Sequence, residues 1–239
     1  MRALSDNNLI ELWERGAVRR PIDRALLLLA CASPETPASA LADLTVTERD
    51  ARVLDLRMAL FGEQFDGIAD CPRCTQSLEF HLHGRALRAS RPDIDREFTT
   101  AGGLRFRLPS SRDLAAAFAE EAESEEEESR GTRQLLQRCC LNATTATSWD
   151  AVLCDEAEAG MDRLTSDAGL QLRLRCDACG TEWETPLDIC SWLWTEVDRR
   201  AQTLLHEVHR LALAYGWEEQ SILAMSPTRR AAYLELCTP

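Results

Sequence analysis

The sequence predicts an α+β protein, mostly helical, with a small antiparallel sheet gathered around two cysteine pairs. Three observations predict it. Apolar residues recur at helical spacing near both ends of the chain, whereas three short stretches alternate apolar and polar residues at period two. Two Cys-x-x-Cys pairs, Cys71 with Cys74 and Cys176 with Cys179, each adjoin one of those alternating stretches.

The first region, 1–66, reads as helical. Leu9, Leu12 and Trp13 share one helix face, and Pro21 suits a first helical position ahead of the apolar run Ile22–Leu29. That run is apolar all round after its first turn, as a buried helix is. The stretch Ser33-Pro34-Glu35-Thr36-Pro37 breaks it. Thr47 followed by Asp50 resembles a capping box for a helix carrying Val53, Leu54, Leu56, Leu60 and Phe61, with Gly62 as its stop.

Beyond residue 66 the period changes. Leu78, Phe80 and Leu82 alternate with Glu79, His81 and His83; Leu104, Phe106 and Leu108 alternate with Arg105 and Arg107; Leu170, Leu172 and Leu174 alternate with Gln171, Arg173 and Arg175. Such alternation marks strands with one buried face. Ala101-Gly102-Gly103, following Phe98-Thr99-Thr100, predicts a hairpin turn. A sheet region over 67–109 and 165–188 follows from these stretches.

Between its two parts, 110–164 reads as a helical insertion. Ser110 with Asp113 predicts an N-terminal cap leading into Leu114–Ala119, and further helices are expected around Arg133–Leu141 and Trp149–Leu164. The acidic run Glu120–Glu128 reads as a solvated helix end or loop, because like charges at that density repel. The last region, 189–239, is helical again: a long helix Ile189–Tyr215 stopped by Gly216, a short one within Trp217–Met225, and a final one capped by Ser226 with Pro227 in its first turn.

The formal net charge of −13 sets the chain against phosphate backbones and anionic lipid surfaces, and no cluster of basic residues offsets it. Nucleic-acid binding is therefore not expected. No stretch reaches the roughly 18 uncharged apolar residues of a membrane helix. The start, Met1-Arg2-Ala3-Leu4-Ser5-Asp6-Asn7, lacks a secretory apolar region, so a cytoplasmic protein not exported by that route is expected. In that compartment the ten cysteines read as metal ligands and buried thiols rather than disulfides.

The cysteine pairs carry the chemistry. A Cys-x-x-Cys turn points both sulfurs at one place, so Cys71-Pro72-Arg73-Cys74 and Cys176-Asp177-Ala178-Cys179-Gly180 together supply four thiolates. Beside strands, this is a split four-cysteine zinc ribbon, and the ion expected is one structural Zn2+. Four thiolates leave no open coordination position, which disfavours a catalytic metal, and two pairs at matched strand ends are one more than a redox Cys-x-x-Cys requires. Gly180 follows the second pair, where a left-handed residue suits the turn; Thr75 holds the equivalent place in the first.

Other candidates carry less. The histidines of His206-Glu207-Val208-His209 are three apart, not the spacing of zinc proteases, and read as a polar helix face. His81 and His83 fall on the polar side of a strand. Cys31, Cys139, Cys140, Cys154, Cys190 and Cys237 read as small core hydrophobes. Trp183, Trp192, Trp194 and Trp217 read as packing anchors. No catalytic residue or phosphate loop is evident, so no enzymatic activity is expected.

Three stretches together resemble the T4-type phage baseplate protein family, which includes relatives in contractile injection systems. They are Ala51–Phe61 running into the first cysteine pair; the second pair with Trp183; and the tail His206–Trp217, continuing through Ile222-Leu223 to Arg229-Arg230-Ala231-Ala232-Tyr233-Leu234. The middle, about residues 90 to 165, carries none of the likeness. The resemblance implies a non-enzymatic baseplate or hub component, or an assembly factor, of a phage-like contractile tail. Its partners would be other baseplate or hub proteins, and it would either stay in the assembled particle or leave after assembly. The alternative is a zinc-ribbon module contacting nucleic acid or transcription machinery.

Overall fold

The computed structural model describes residues 4–89, 97–118 and 125–237, less the side chains of 88–89, 125–128 and 166–168. It is a mixed protein of helices and small antiparallel sheets that divides into two compact units. One comprises 1–36 with 190–239; the other comprises 37–189. The stretch 1–66 thus contributes to both.

The first unit is helical. It contains α1 (Asp6–Ala17), α2 (Pro21–Ala32), the long α9 (Ile189–Tyr215), α10 (Glu219–Leu223) and α11 (Pro227–Leu236). Its core takes Leu9, Ile10 and Leu12 from α1, Leu27, Leu28 and Leu29 from α2, and Leu193, Val197, Ala201, Leu204 and Leu211 from α9. The α9 positions repeat at helical spacing, which is why this helix is legible in the sequence. Gly216 ends it at φ 67°, donating its N–H to the Ala212 carbonyl. Trp194 packs on Gly16, where a Cβ would lie 2.2 Å from the indole, and Arg24 covers the ring. Tyr215 stacks on Trp217, and Tyr233 meets both edge-on, so these aromatics fasten α9 to α11, with Trp217 the packing anchor expected.

Arg230 is 1% exposed and lies among charged partners. Its guanidinium donates to the Asp6 and Glu207 carboxylates and to the Met225 carbonyl. Arg200 bridges the same two carboxylates from their other side, closing a ring of two acids and two arginines across α1, α9 and α11.

The second unit holds α3 (Ala38–Ala42), α4 (Val46–Phe61), β1 (Gln64–Asp70), β2 (Ser77–His83), α5 (Gly84–Ala89), β3 (Glu97–Thr99), β4 (Arg105–Arg107), α6 (Ser111–Ala117), α7 (Glu125–Cys139), α8 (Ala151–Ala168), β5 (Gln171–Arg175) and β6 (Glu182–Pro186). The acidic run up to residue 124 lies outside the described residues; positions 125–128 open α7. The helix α4 begins two residues earlier than expected. Its capping box is Thr45 with Glu48, not Thr47 with Asp50, because the longer Glu48 side chain reaches back to the Thr45 N–H. The Ser110–Asp113 box forms as predicted.

One small sheet is expected from the sequence; among the described residues three separate two-stranded sheets are found. Each alternating strand pairs with a neighbour close in sequence. The hairpin β1–β2 runs in register from Gln64↔His83 to Asp70↔Ser77, and β5–β6 from Gln171↔Pro186 to Arg175↔Glu182. The hairpin β3–β4, assigned from sequence to the same sheet region, belongs to another core. There Phe106 and Leu108 pack with Leu136, Cys139, Ala157, Met161 and Leu164 of α7 and α8. Phe98 stacks on Phe106 and presses against Gly160, where a Cβ would sit 2.2 Å from the ring. The insertion therefore has its own interior, which lets a long segment separate the two cysteine hairpins.

In the same unit Asp113 is almost fully buried. It accepts from Arg107 at 2.7 Å and Arg138 at 3.2 Å, and from the Ser110 N–H and hydroxyl. Burial alone would raise this carboxyl; the Arg107 and Ser110 hydrogen bonds instead hold it well below the usual carboxylate range.

No helix among the described residues is long and apolar enough to cross a membrane.

Candidate metal centre

Each cysteine pair occupies the loop that joins the two strands of one hairpin. Asp70↔Ser77 closes the first loop and Arg175↔Glu182 the second, so each loop is six residues long. Their backbone hydrogen bonds match. The Cys71 N–H donates to the Gln76 carbonyl at 3.0 Å and the Thr75 N–H to the Cys71 carbonyl at 2.9 Å. In the second loop the Cys176 N–H donates to the Thr181 carbonyl and the Gly180 N–H to the Cys176 carbonyl, both at 2.8 Å. Both loops turn through a left-handed residue, Thr75 at φ 57° and Gly180 at φ 71°.

This frame aims the sulfurs. The second cysteine of each loop receives the backbone N–H two residues on, Gln76 to Cys74 and Thr181 to Cys179. The Thr181 hydroxyl also lies 3.2 Å from Cys179 Sγ. Donors directed at sulfur favour thiolate over thiol.

All four sulfurs lie within 4.8 Å of one another, and two approaches of 3.6 Å cross between hairpins, Cys71 to Cys179 and Cys74 to Cys176. A tetrahedral ion with sulfur at about 2.3 Å requires sulfurs about 3.8 Å apart. The donor set therefore fits a tetrahedral ion with small side-chain adjustments, and no cysteine pair is joined as a disulfide. Cys71 and Cys176 are each 1% exposed; Cys74 is exposed and Cys179 half-buried. The site is thus anchored from within and edged by solvent.

Four sulfurs this close cannot all ionise unless a cation offsets their charge. The Gln76 N–H favours the Cys74 thiolate, but hydrogen bonding with Cys179 and its neighbouring thiols pushes Cys74 up to about 12. The Thr181 hydroxyl and N–H pull Cys179 down to about 6. A divalent cation removes this competition and lets every sulfur bind as thiolate. Four cysteines close together could hold such an ion, and a four-sulfur set leaves it no open position for substrate.

The structure brings together all four predicted ligands, Cys71, Cys74, Cys176 and Cys179, and among the described residues no other metal-binding group forms. His81 and His83 stand on the wet face of β2, paired with Asp66 and Glu63. His206 contacts the Gln202 carbonyl of its own helix, and Glu207 belongs to the Arg230 network. Of the other six cysteines only Cys139 and Cys190 are buried; Cys31, Cys140, Cys154 and Cys237 are half-buried, short of the core positions expected.

Sequence reasoning missed the return strands β1 and β6 and the sulfur-facing donors Gln76 and Thr181. On β1 the inward residues after Phe65 are Gly67 and Ala69, while Ile68 is 72% exposed, so no apolar alternation announces the strand. The available signal was the pair of equal loops, since each needs strands on both sides. Compared with known proteins, the chain matches no family model, no curated protein and no solved structure.

Proposed function

We propose that Cys71, Cys74, Cys176 and Cys179 hold one structural zinc in a split zinc ribbon. On this reading the protein is a non-enzymatic baseplate or hub component, or assembly factor, of a phage-like contractile tail. The observation that carries the metal reading is the convergence of sulfurs from loops about a hundred residues apart, with the two hairpins in separate sheets. An ion at that point supplies a cross-link that strand pairing does not. Zinc suits the set because it takes four thiolates tetrahedrally and has no redox chemistry of its own.

The tail role is supported by the residues that resemble the T4-type baseplate family. They fall on α4, on the two cysteine loops, on β6 and on the α9–α11 helices, while the acidic insertion lies outside the likeness. The partners proposed are other baseplate or hub proteins, met in the bacterial cytoplasm during assembly.

Elemental analysis of the purified chain tests the first claim: one zinc per chain is expected, and a chain that carries no bound metal would overturn it. Deleting the gene and imaging particles tests the second. Normal, firing-competent particles from the deletion strain would exclude the assembly role. Retention on heparin at moderate salt would instead favour a nucleic-acid-contacting ribbon, against which the net charge of −13 argues.

A further inference from the structure

We propose that the four cysteines also form a redox switch, in which peroxide closes two disulfides across the hairpins, Cys71–Cys179 and Cys74–Cys176. The inference concerns the same site and rests on the metal-centre reading for its consequence, but not for its pairing. Geometry permits this pairing: both approaches are 3.6 Å, and each needs to shorten by only about 1.5 Å to reach the S–S bond length. Each pair also joins a sulfur that solvent can reach, Cys74 or the half-buried Cys179, to one that is buried, Cys176 or Cys71. The reachable sulfur meets oxidant first and the buried one lies ready to resolve it.

The chemistry balances with hydrogen peroxide as the oxidant. Peroxide converts the reachable thiol to a sulfenic acid and leaves as water. The buried partner then attacks that sulfur, forms the S–S bond and releases a second water that carries its proton. Two thiols and one peroxide give one disulfide and two waters, and the site consumes two peroxides. Both disulfides together use every ligand sulfur, so a bound ion must leave. The hairpins nevertheless stay joined, by two covalent bonds in place of one ion. A tail component built in a reducing cytoplasm would thereby keep this cross-link after release into an oxidising medium.

The test uses the full, reduced chain, zinc-loaded and zinc-free. Each is treated with hydrogen peroxide, blocked with N-ethylmaleimide and digested without reductant. Cleavage after Arg73 and before Asp177 places the four cysteines on four peptides. The expected map links the Cys71 peptide to that of Cys179 and the Cys74 peptide to that of Cys176, in both samples. From the loaded sample, a chromophoric chelator should report one zinc released per two peroxides consumed, reversed by dithiothreitol with added zinc. Bonds within each Cys-x-x-Cys pair, oxidation to sulfinic acid without disulfide, or zinc held against excess peroxide would each overturn the switch. A reduced chain that takes up no zinc would overturn the metal-centre reading instead, while the zinc-free map still decides the pairing.

Discussion

Thr75 and Gly180 occupy the same place in two matching loops, one residue past the second cysteine of each, and both are left-handed. The two loops share length, hydrogen-bond pattern and ligand spacing, yet one spends a β-branched residue where the other has glycine. An L side chain in that region is strained by about 1–2 kcal/mol, and glycine returns part of the gain through its freer unfolded chain. Thr75→Gly should therefore stabilise the protein by about 0.5–1 kcal/mol. Gly180→Thr should destabilise it by a similar amount, although nothing lies within 4 Å of the added Cβ. Denaturant midpoints with equal slopes would show both; equal loss of stability in the two variants would refute the equivalence.

Removing the ion, or a buried ligand, should loosen the second unit. Zinc bound by four thiolates contributes on the order of 10 kcal/mol of apparent binding energy near pH 7, and at this site it would join hairpins that share no sheet. Cys176→Ser, or a strong chelator under reducing conditions, is expected to abolish metal content and leave the protein insoluble. Elemental analysis with solubility and circular dichroism reads this out. A soluble, fully folded, metal-free variant would show that the cluster does not close the fold.

How far the sequence discloses the structure depends on how local each signal is. The meeting of the four cysteines was legible because Cys-x-x-Cys is a local motif with one dominant geometric use. The helix α9 was legible to the residue because its buried positions recur at helical spacing and Gly216 stops it. The separation into three hairpins was not. A strand such as Gln64–Asp70 turns Gly67 and Ala69 inward and Ile68 outward, so its burial is set by tertiary neighbours that periodicity does not encode. The Arg230 network was equally hidden. Asp6 and Arg230 are 224 positions apart, and nothing near Arg230 marks it as buried rather than as one of a surface pair with Arg229.

Asp113 should make stability depend on acid pH. Its carboxyl is held well below the ordinary value near 3.9, chiefly by the Arg107 and Ser110 hydrogen bonds acting against burial. A depressed carboxyl contributes its stability above the unfolded pKa and loses it as pH falls toward the folded one. Asp113→Asn keeps the shape but leaves Arg107 and Arg138 without their shared anion, so about 2–3 kcal/mol should be lost at pH 7. The gap between variant and parent should narrow below about pH 4, where the unfolded parent begins to take up protons that its folded form resists. Denaturant midpoints at pH 7, 5, 4 and 3 measure it, and a gap constant down to pH 3 would exclude the ion pairs as its source.

The first unit offers a separate test at Arg230. Its guanidinium is buried between Asp6 and Glu207, with Arg200 the remaining cation at those two carboxylates. Truncating one member of a fully buried ion pair costs about 3–5 kcal/mol. Asp6 and Glu207 are 19% exposed and keep Arg200, so Arg230→Met should lose less than that. Adding Asp6→Asn and Glu207→Gln should recover a large part, since the stranded charges go with the cation that balanced them. If the triple variant is as unstable as the three single losses summed, the residues act independently and the network carries no shared energy. Recovery would show that what holds α11 to α1 and α9 is mutual compensation among these charges, rather than any single hydrogen bond.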